Sequence, residues 1–313
     1  MLAMHVRIVG VIVGAIGLAQ VSFFGLNTCA LAAPPAATDA TPIRQALRLD
    51  SGERILPDGR KPATSSKQLV TSQLRLADED EHPLAPAVRY AREGLSEFQS
   101  NVDDYEVMLI KRELIRGKMM PTQYLACKIR EQPFSVYIRF LSPSDVAGRE
   151  VIYVEGQNNN QMHAHATGMA KRVFGTVTLA PTSNIAMRTS RYPLTHIGVS
   201  SMVERLLEVA EKDLQHGECE VKHHDNVQLG SHNCLVLEVI HPVNRPHFAF
   251  HKVRLYIDKE LNIPIRLESY GFPSTPGGKE PLIEEYTYTK FNFNVGLSEI
   301  DFSTRNPRYD FPN

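Results

Sequence analysis

The sequence predicts an α+β protein, mostly antiparallel β, built as a curved open sheet or incomplete barrel with two amphipathic helices over the concave face. Three observations predict this class. Apolar and polar residues alternate in ten short segments. The joints between those segments are rich in turn residues and too short for crossover helices, and helical spacing of apolar residues occurs in only two segments. A single antiparallel sheet of this size normally curls.

The composition excludes several classes of protein. Of 313 residues, 42% are hydrophobic and 22% are charged, which is ordinary for a globular domain and not for a disordered or collagenous chain. The formal net charge of -1 leaves no excess of basic side chains to neutralise phosphates. No nucleic acid is therefore expected as a partner.

Residues 1–32 have the pattern of a secretory signal peptide. Arg7 is the only charged residue before Asp39, an apolar run follows it, and Ala30-Leu31-Ala32 forms a small-x-small cleavage site. We therefore expect an exported protein of the periplasm or cell envelope. Two alternatives stay open, an uncleaved N-terminal membrane anchor and a lipoprotein acylated at Cys29. No later segment is apolar over a sufficient length, so no membrane span is expected in the mature chain.

Residues 33–81 are predicted to form a disordered linker. Five prolines between Pro34 and Pro62 interrupt any periodicity, and the stretch ends in the acidic run Asp78-Glu79-Asp80-Glu81. Little apolar surface is present there to offset the entropy lost on ordering. The sequence therefore places a single folded domain at 82–313.

Two segments of this domain, 84–99 and 198–215, are predicted to be amphipathic helices. In each segment apolar residues recur at steps of three and four, so they share one face. Charged residues take the other side of the second helix, and Gly217 is a stop signal after it. The apolar stripes are Leu84, Ala87, Val88, Ala91, Leu95 and Phe98, and then Val199, Met202, Val203, Leu206, Leu207, Ala210 and Leu214.

Alternation predicts ten strands, five on each side of the second helix. In the segment 134–141 the apolar residues Phe134, Val136, Ile138 and Phe140 point one way, so one face of the sheet meets a core. The predicted strands are Tyr105–Arg116, Gln123–Arg130, Phe134–Leu141, Arg149–Glu155, Gln161–Ala166, Glu218–Asp225, His232–His241, Phe248–Asp258, Ile263–Tyr270 and Leu282–Phe293.

The cysteines suggest one disulfide. Cys219 and Cys234 flank a hairpin whose turn is predicted near Asn226–Ser231, and an exported chain meets an oxidising compartment. We predict that these two sulfurs are close enough to bridge, while Cys127 stays an unpaired, buried thiol. The alternative is that all three are small buried hydrophobic residues.

The sequence contains no recognisable catalytic motif. The chain has no His-Glu-x-x-His, Cys-x-x-Cys, Gly-x-Ser-x-Gly or phosphate-loop pattern, so no catalytic residue, metal or cofactor is predicted. His163 and His165 share one face of a strand but lack a third ligand, which favours solvent-facing histidines. Glu284 and Glu285 point to opposite faces and cannot form a carboxylate couple without partners from elsewhere.

Six short motifs distinguish the folded part of the chain. They are Lys111-Arg112-Glu113 with Gly117-Lys118, the segment 128–137, the segment 148–156, Arg191-Tyr192-Pro193, the segment 256–261 and Glu284-Glu285-Tyr286-Thr287-Tyr288. Together they resemble an uncharacterised bacterial family, domain of unknown function 1571, over about 100–312. The layout is more remotely similar to periplasmic lipoprotein carriers of the LolA and LolB type. That second resemblance implies a LolA-like incomplete barrel whose hollow, closed by helices, holds acyl chains.

The hypothesis that follows is a monomeric, non-enzymatic protein that binds or carries an apolar ligand, a lipid or the acyl chain of a lipoprotein. The alternatives are a structural or interaction protein of the cell envelope and, less favoured, a hydrolase with a dispersed site. Arginines on neighbouring strands form either cross-strand ion pairs or an anionic-headgroup rim. The hypothetical apolar lining is Val136, Ile138, Phe140, Met202, Leu206 and Leu255, and the hypothetical rim is Arg130, Arg139 and Arg149.

Overall fold

The computed structural model describes residues 81–312, and over this range it contains one open antiparallel sheet of twelve strands. The strands are β1 (Asp104–Ile115), β2 (Lys118–Met119), β3 (Gln123–Arg130), β4 (Ser135–Ser142), β5 (Glu150–Val154), β6 (Met162–His165), β7 (Thr176–Leu179), β8 (Glu220–Leu229), β9 (His232–Ile240), β10 (Lys252–Asp258), β11 (Ile263–Tyr270) and β12 (Leu282–Phe293). The predicted fold class is confirmed.

Three α-helices accompany the sheet in the described range. They are α1 (Ala85–Asn101), α2 (Gly168–Phe174) between β6 and β7, and α3 (Val199–Asp213) between β7 and β8. None of the described helices is both long and apolar enough to cross a membrane. The predicted signal peptide and almost all of the predicted linker lie outside the described residues.

The sheet consists of two meanders joined at its centre. Strands β3 to β7 follow one another outward on one side of β1, and β12 to β8 do so on the other side. The two halves meet where β1 pairs with β12, for example Leu109 with Tyr288. The edge strands β7 and β8 do not pair with each other, so the sheet stays open.

One face of the sheet, called here the inner face, packs against α1 and α3. Tyr105 and Leu109 of β1 are buried there in the main core, together with Phe98 of α1 and Met202 of α3. The two helices also contact each other through Val88, Val203 and Leu207. The predicted stripes therefore serve two purposes, helix pairing and burial of the sheet.

Gly198 makes the close approach of α3 to β1 feasible. It has φ +111°, and a Cβ atom at this position would lie 2.9 Å from the Tyr105 hydroxyl oxygen. That oxygen accepts a hydrogen bond from the Val199 N–H at 2.9 Å. A side chain at 198 would be strained in this conformation and would displace the tyrosine.

The opposite, outer face is partly covered by the C-terminal segment, residues 294–312. Val295, Leu297, Phe302 and Phe311 pack there in a second cluster against Tyr137 and its neighbours Ile152 and Val154. This cover is not predictable from the sequence, because the segment has neither strand nor helix periodicity. Both faces of β5 and of the first half of β4, Ser135 to Ile138, are consequently buried.

The predicted elements agree with the structure to within two residues, except at β8, at β10 and at three short elements. β8 continues to Leu229, so its turn is Gly230-Ser231 rather than the longer turn predicted. β10 begins at Lys252, because Phe248 and Phe250 are buried in the loop before it. The short elements β2, α2 and β7 were not predicted, since two to seven residues give too few periods to recognise.

The predicted disulfide is wrong. Cys219 and Cys234 are both free and buried. The register pairs Cys234 with Val227, whereas Glu220, next to Cys219, pairs with Ile240 at the far end of the hairpin. Six residues along a strand separate the two positions by about 20 Å, far beyond bridging distance. The expectation that Cys127 is buried and unpaired is confirmed, and burial raises the pKa of its thiol to about 12.

Candidate functional site

The inner face presents an apolar row that becomes more exposed toward the β7 edge. Pairing across β3 to β7 aligns Cys127, Ile138, Val151, Ala164 and Val177. The exposed fraction rises from 2% at Ile138 to 8% at Val151 and 37% at Val177. The helices therefore cover the centre of the inner face but leave its β7 side accessible.

The β8 side shows the same gradient. Leu267, Leu255 and Leu237 are paired across β11, β10 and β9. Leu267 is fully buried, and the two leucines nearer the edge are half-buried. The adjacent row of Val253, Val239 and Val221 is also half-buried.

The six residues predicted as apolar lining all lie in or against the main core. Val136, Ile138 and Met202 are completely enclosed by other side chains, whereas Phe140, Leu206 and Leu255 are half-buried. Only the latter three retain surface for a ligand. The more accessible apolar positions on outer strands were missed, and alternation in β8 and β9 is the signal that could have found them.

One end of the inner face is polar and buried. We call this group the inner polar cluster, and it consists of Lys111, Glu113, Arg191, Glu284 and Tyr286. Lys111 Nζ lies 2.9 Å from Glu113 Oε2, and the Tyr286 hydroxyl donates to Glu113 Oε1 at 2.5 Å. Glu113 and Glu284 are directly paired across β1 and β12. Two carboxylates in that position would repel each other, so the cations are needed to stabilise the pairing.

Glu284 is held from a different direction. Ser269 Oγ donates to Glu284 Oε1 at 3.0 Å. Arg191 Nε lies 2.8 Å from Glu284 Oε2, but its N–H does not point at that oxygen, so this contact is an ion pair rather than a hydrogen bond. The Arg205 guanidinium of α3 stacks on Tyr192 at 3.9 Å from the ring centroid.

The electrostatics of this cluster follow from its burial. Burial, and then the charge of Glu113, raise the pKa of Tyr286 well above its usual value. Burial and the charge of Glu284 raise the pKa of Tyr192 to about 12. Both tyrosines therefore stay protonated at neutral pH. Arg191, with 32% of its side chain exposed, is the cation that this end offers to a ligand.

Sequence reasoning did not group these residues. The opposite orientation of Glu284 and Glu285 is confirmed, because Glu284 contacts Ser269 while Glu285 lies 3.0 Å from Arg266 on the other face. The carboxylate that faces Glu284 comes from a distant strand and is Glu113 of β1. Three of the motifs quoted for the family resemblance, at 111–113, 191–193 and 284–288, meet in this cluster, which is the signal that was available.

A second buried charge lies on the outer face. Glu150 accepts from the Tyr137 hydroxyl at 2.8 Å, from His165 Nε2 at 2.9 Å and from the backbone N–H of Asp310 at 2.7 Å. Burial opposes ionisation, but these hydrogen bonds outweigh it and lower the pKa of Glu150. The ring of Phe311 covers His165, with 4.7 Å between centroids. The prediction of solvent-facing histidines is therefore wrong for His165, which is 1% exposed.

The three predicted rim arginines do not converge. Arg130 contacts Ser135 and, at 2.6 Å, Glu299 on the outer face. Arg139 lies 3.6 Å from Glu150 on that same face, and Arg149 stacks over Phe140 at 5.6 Å. Each arginine has a separate local partner, because alternation sends neighbouring strand positions to opposite faces. They do not form one headgroup site.

A cavity of about 430 Å³ lies between the outer face and the C-terminal segment. Its lining is mixed, with Ile152 and Phe302 beside His163, Glu299 and Arg305. This cavity is on the face opposite to the predicted ligand hollow. Within residues 81–312 no group of three or more His, Cys, Asp or Glu side chains is arranged to hold a metal ion.

The chain belongs to the family described as "Protein of unknown function (DUF1571)". That family's profile matches residues 102–311, so the predicted family is confirmed. None of the curated proteins matches the chain.

Several solved structures are similar in layout to this chain. The Mycobacterium tuberculosis lipoprotein LppX is 11% identical, with 68% of this chain and 100% of that chain covered and a TM-score of 0.39. A DUF1329 family protein from Desulfovibrio piger is 13% identical, with 69% and 97% covered and a TM-score of 0.35. A LolA superfamily protein from Nitrosomonas europaea is 10% identical, with 69% and 97% covered and a TM-score of 0.29. Similarity at this level does not transfer a ligand.

Proposed function

We propose that this protein binds the apolar part of a lipid or of an acylated protein on the inner face of its open sheet, without covalent chemistry, in the bacterial cell envelope. The observation that carries the proposal is the outward rise in exposure along the inner-face rows. Apolar side chains continue beyond the cover of α1 and α3 on both sides, from Val151 to Val177 and from Leu267 to Leu237. A sheet that needed only a core would end every such row with polar residues. The row on the β7 side stays apolar to its edge strand, and on the β8 side the valine row does so at Val221 while the leucine row ends at His223.

The energetics support an acyl chain as the ligand. Each methylene group removed from water contributes roughly 0.8 kcal/mol, so a chain of about ten carbons on such a wall gives roughly 8 kcal/mol before the costs of ordering. An anionic head beside the partly exposed Arg191 would add orientation. The paired charges of the inner polar cluster argue against hydrolysis, because each carboxylate is already engaged by a neighbouring cation and hydroxyl.

Displacement of a fluorescent fatty acid from the purified chain, in the absence of vesicles, tests the proposal. Saturable binding is expected, and Leu255→Asn, which places an amide on the inner wall, should weaken it about tenfold. Two matched variants should bind as the wild type does. Lys222→Asn changes an exposed side chain on the edge strand β8. Arg305→Asn changes a residue that lines the outer-face cavity.

Two outcomes would reject the proposal. One is no saturable binding by a wild-type protein that unfolds cooperatively in urea. The other is binding that Arg305→Asn abolishes and Leu255→Asn leaves unchanged, since the ligand would then occupy the outer-face cavity.

The export part of the proposal rests on residues 1–32 of the sequence. Intact-mass analysis of the native protein should give a chain that begins at about Ala33. A chain that retains Met1 would instead support the membrane anchor, and a diacylglycerol adduct on Cys29 would support the lipoprotein alternative.

A further inference from the structure

Exposed large apolar side chains are concentrated in one small region of the described chain. We call it the α2–β7 patch, residues 168–188. Five of the seven large hydrophobic residues that are exposed between 81 and 312 lie here. Met169 exposes 81% of its surface and Val173 exposes 66%. The other three are Phe174, Val177 and Ile185.

The charge of the surrounding sequence has one sign. Between Glu155 and Glu204 there is no aspartate or glutamate over 48 residues, although the chain as a whole has 35 in 313, so about five would be expected. The same stretch contains Lys171, Arg172, Arg188 and Arg191. Arg172 is exposed on α2 beside Val173. Exposed apolar side chains and the exposed Arg172 and Arg188 therefore lie in one acid-free segment of the chain.

The patch is continuous with the inner face. Val177 pairs with Ala164, which pairs with Val151 of the main core, so the apolar row runs from the buried centre to the exposed edge. Folding does not require this exposure, because an apolar side chain in water contributes nothing to the stability of the fold. Contiguous exposed apolar surface on a soluble domain marks an interaction site.

We propose that the α2–β7 patch docks on a bilayer that contains anionic lipids. Its apolar side chains enter the boundary between headgroups and acyl chains, and its cations contact the anionic headgroups. The combination of exposed apolar side chains with arginines favours a membrane, because an anionic bilayer offers an apolar interior directly beneath a negatively charged surface. The inference goes beyond ligand binding, because a membrane contact does not need an occupied inner face.

A tryptophan reporter tests the proposal directly. The chain contains no tryptophan, so Phe174→Trp places the variant's single tryptophan at the patch, and its emission can be excited selectively over that of tyrosine. With vesicles of phosphatidylcholine and phosphatidylglycerol, its emission should shift to the blue, and brominated acyl chains should quench it. Val243→Trp is the matched control, because Val243 and Phe174 are both 45% exposed and Val243 lies outside the patch. It should show neither effect, and this comparison is independent of any membrane affinity of residues 1–32.

Co-sedimentation of the full chain with the same vesicles gives the second measurement. Val173→Asp should lower partitioning about tenfold and Arg172→Gln about fivefold. Added salt should lower the vesicle partitioning of the wild type more than that of Arg172→Gln, because the variant has lost one of the cations whose attraction salt screens. Ile300→Asp, at an exposed apolar position on the C-terminal segment, should partition as the wild type does.

The proposal is overturned if Phe174→Trp stays in a water-like environment with anionic vesicles, or if Val173→Asp and Ile300→Asp partition equally. Either result would leave the patch as a contact for another protein. Failure here is separate from failure of ligand binding, because Leu255→Asn should leave partitioning unchanged and Val173→Asp should leave fatty-acid displacement unchanged.

Discussion

The two edge strands of the sheet solve the same problem in different ways. β8 is long and carries charged and polar side chains. Lys222 forms an ion pair with Glu220 at 3.2 Å, and Asp225 forms one with Lys259 at 2.8 Å. β7 has only four residues, Thr-Val-Thr-Leu, and no charge. An edge strand exposes unpaired backbone groups to other chains, and charge or shortness prevents unwanted pairing.

The difference indicates where the molecule is built for contact. At β8 the surface is solvated and ionic, which discourages association. At β7 the outer side contacts the C-terminal segment, where Thr176 donates to the Pro312 carbonyl. Val177 is exposed on the inner side, and α2, which directly precedes β7 in the chain, also exposes apolar residues. Because β8 shows that this chain can protect an edge with charge, the apolar edge at β7 calls for a functional explanation.

The largest expected effect on stability concerns Glu150, whose hydrogen bonds join the β7 side of the sheet to the C-terminal segment. Glu150→Ala removes a buried carboxylate and leaves the Tyr137 hydroxyl, His165 and the Asp310 N–H without their acceptor. We expect a loss of about 3–5 kcal/mol in the free energy of unfolding. Urea unfolding measures it. Glu220→Ala at the β8 edge should cost less than about 0.5 kcal/mol, and similar losses for the two variants would refute the contrast.

A somewhat smaller effect is expected at the C-terminal segment. Phe311→Ala removes a buried ring that packs edge-on against His165 and should cost about 3 kcal/mol. Amide hydrogen exchange should become faster in β6 and β7 than in β8 and β9. Ile300→Ala, on the same segment but 47% exposed, is the control and should leave both measurements near the wild type.

The pH dependence of stability should differ between the edges in a defined direction. The pKa of Glu150 is lower in the folded chain than its ordinary value of 4.5. A lowered pKa stabilises the fold above the ordinary value, and that stability is lost as the pH falls through the folded pKa. Urea unfolding of the wild type and Glu150→Gln at pH 7, 5 and 3 should therefore give a difference that shrinks toward pH 3. A difference that grows on acidification would contradict the assignment.

The smallest expected effect concerns the β8–β9 hairpin, which is held by its hydrogen bonds and not by a disulfide. Iodoacetamide in urea without reductant should label Cys127, Cys219 and Cys234 completely. Reductant should leave the urea midpoint unchanged. In the native state the labelling should be slow, since burial raises the pKa of Cys127 to about 12 and of Cys219 and Cys234 to about 11. Detection of a disulfide between Cys219 and Cys234 by mass spectrometry would contradict the observed register of the hairpin.

The sequence by itself determined the elements and the family. Period-two alternation and helical spacing are local properties of the chain, so α1, α3 and the strands other than β2, β7, β8 and β10 were found to within two residues at each end. The orientation of single residues on those elements was also predictable, as Glu284 and Glu285 show.

Only the tertiary structure decided which elements meet. Pairing of β1 with β12 joins Glu113 to Glu284 across more than half of the domain, and no local period encodes that partner. The hairpin register moved Cys234 away from Cys219, because a bulge and a tight turn, rather than the cysteines, set the pairing. The exposure of Val177 depends on where the helices stop covering the sheet. The face of a strand or helix on which a side chain lies follows from the local sequence. Which strands pair, and which side chains stay exposed to solvent, depends on packing between segments that are distant in the sequence.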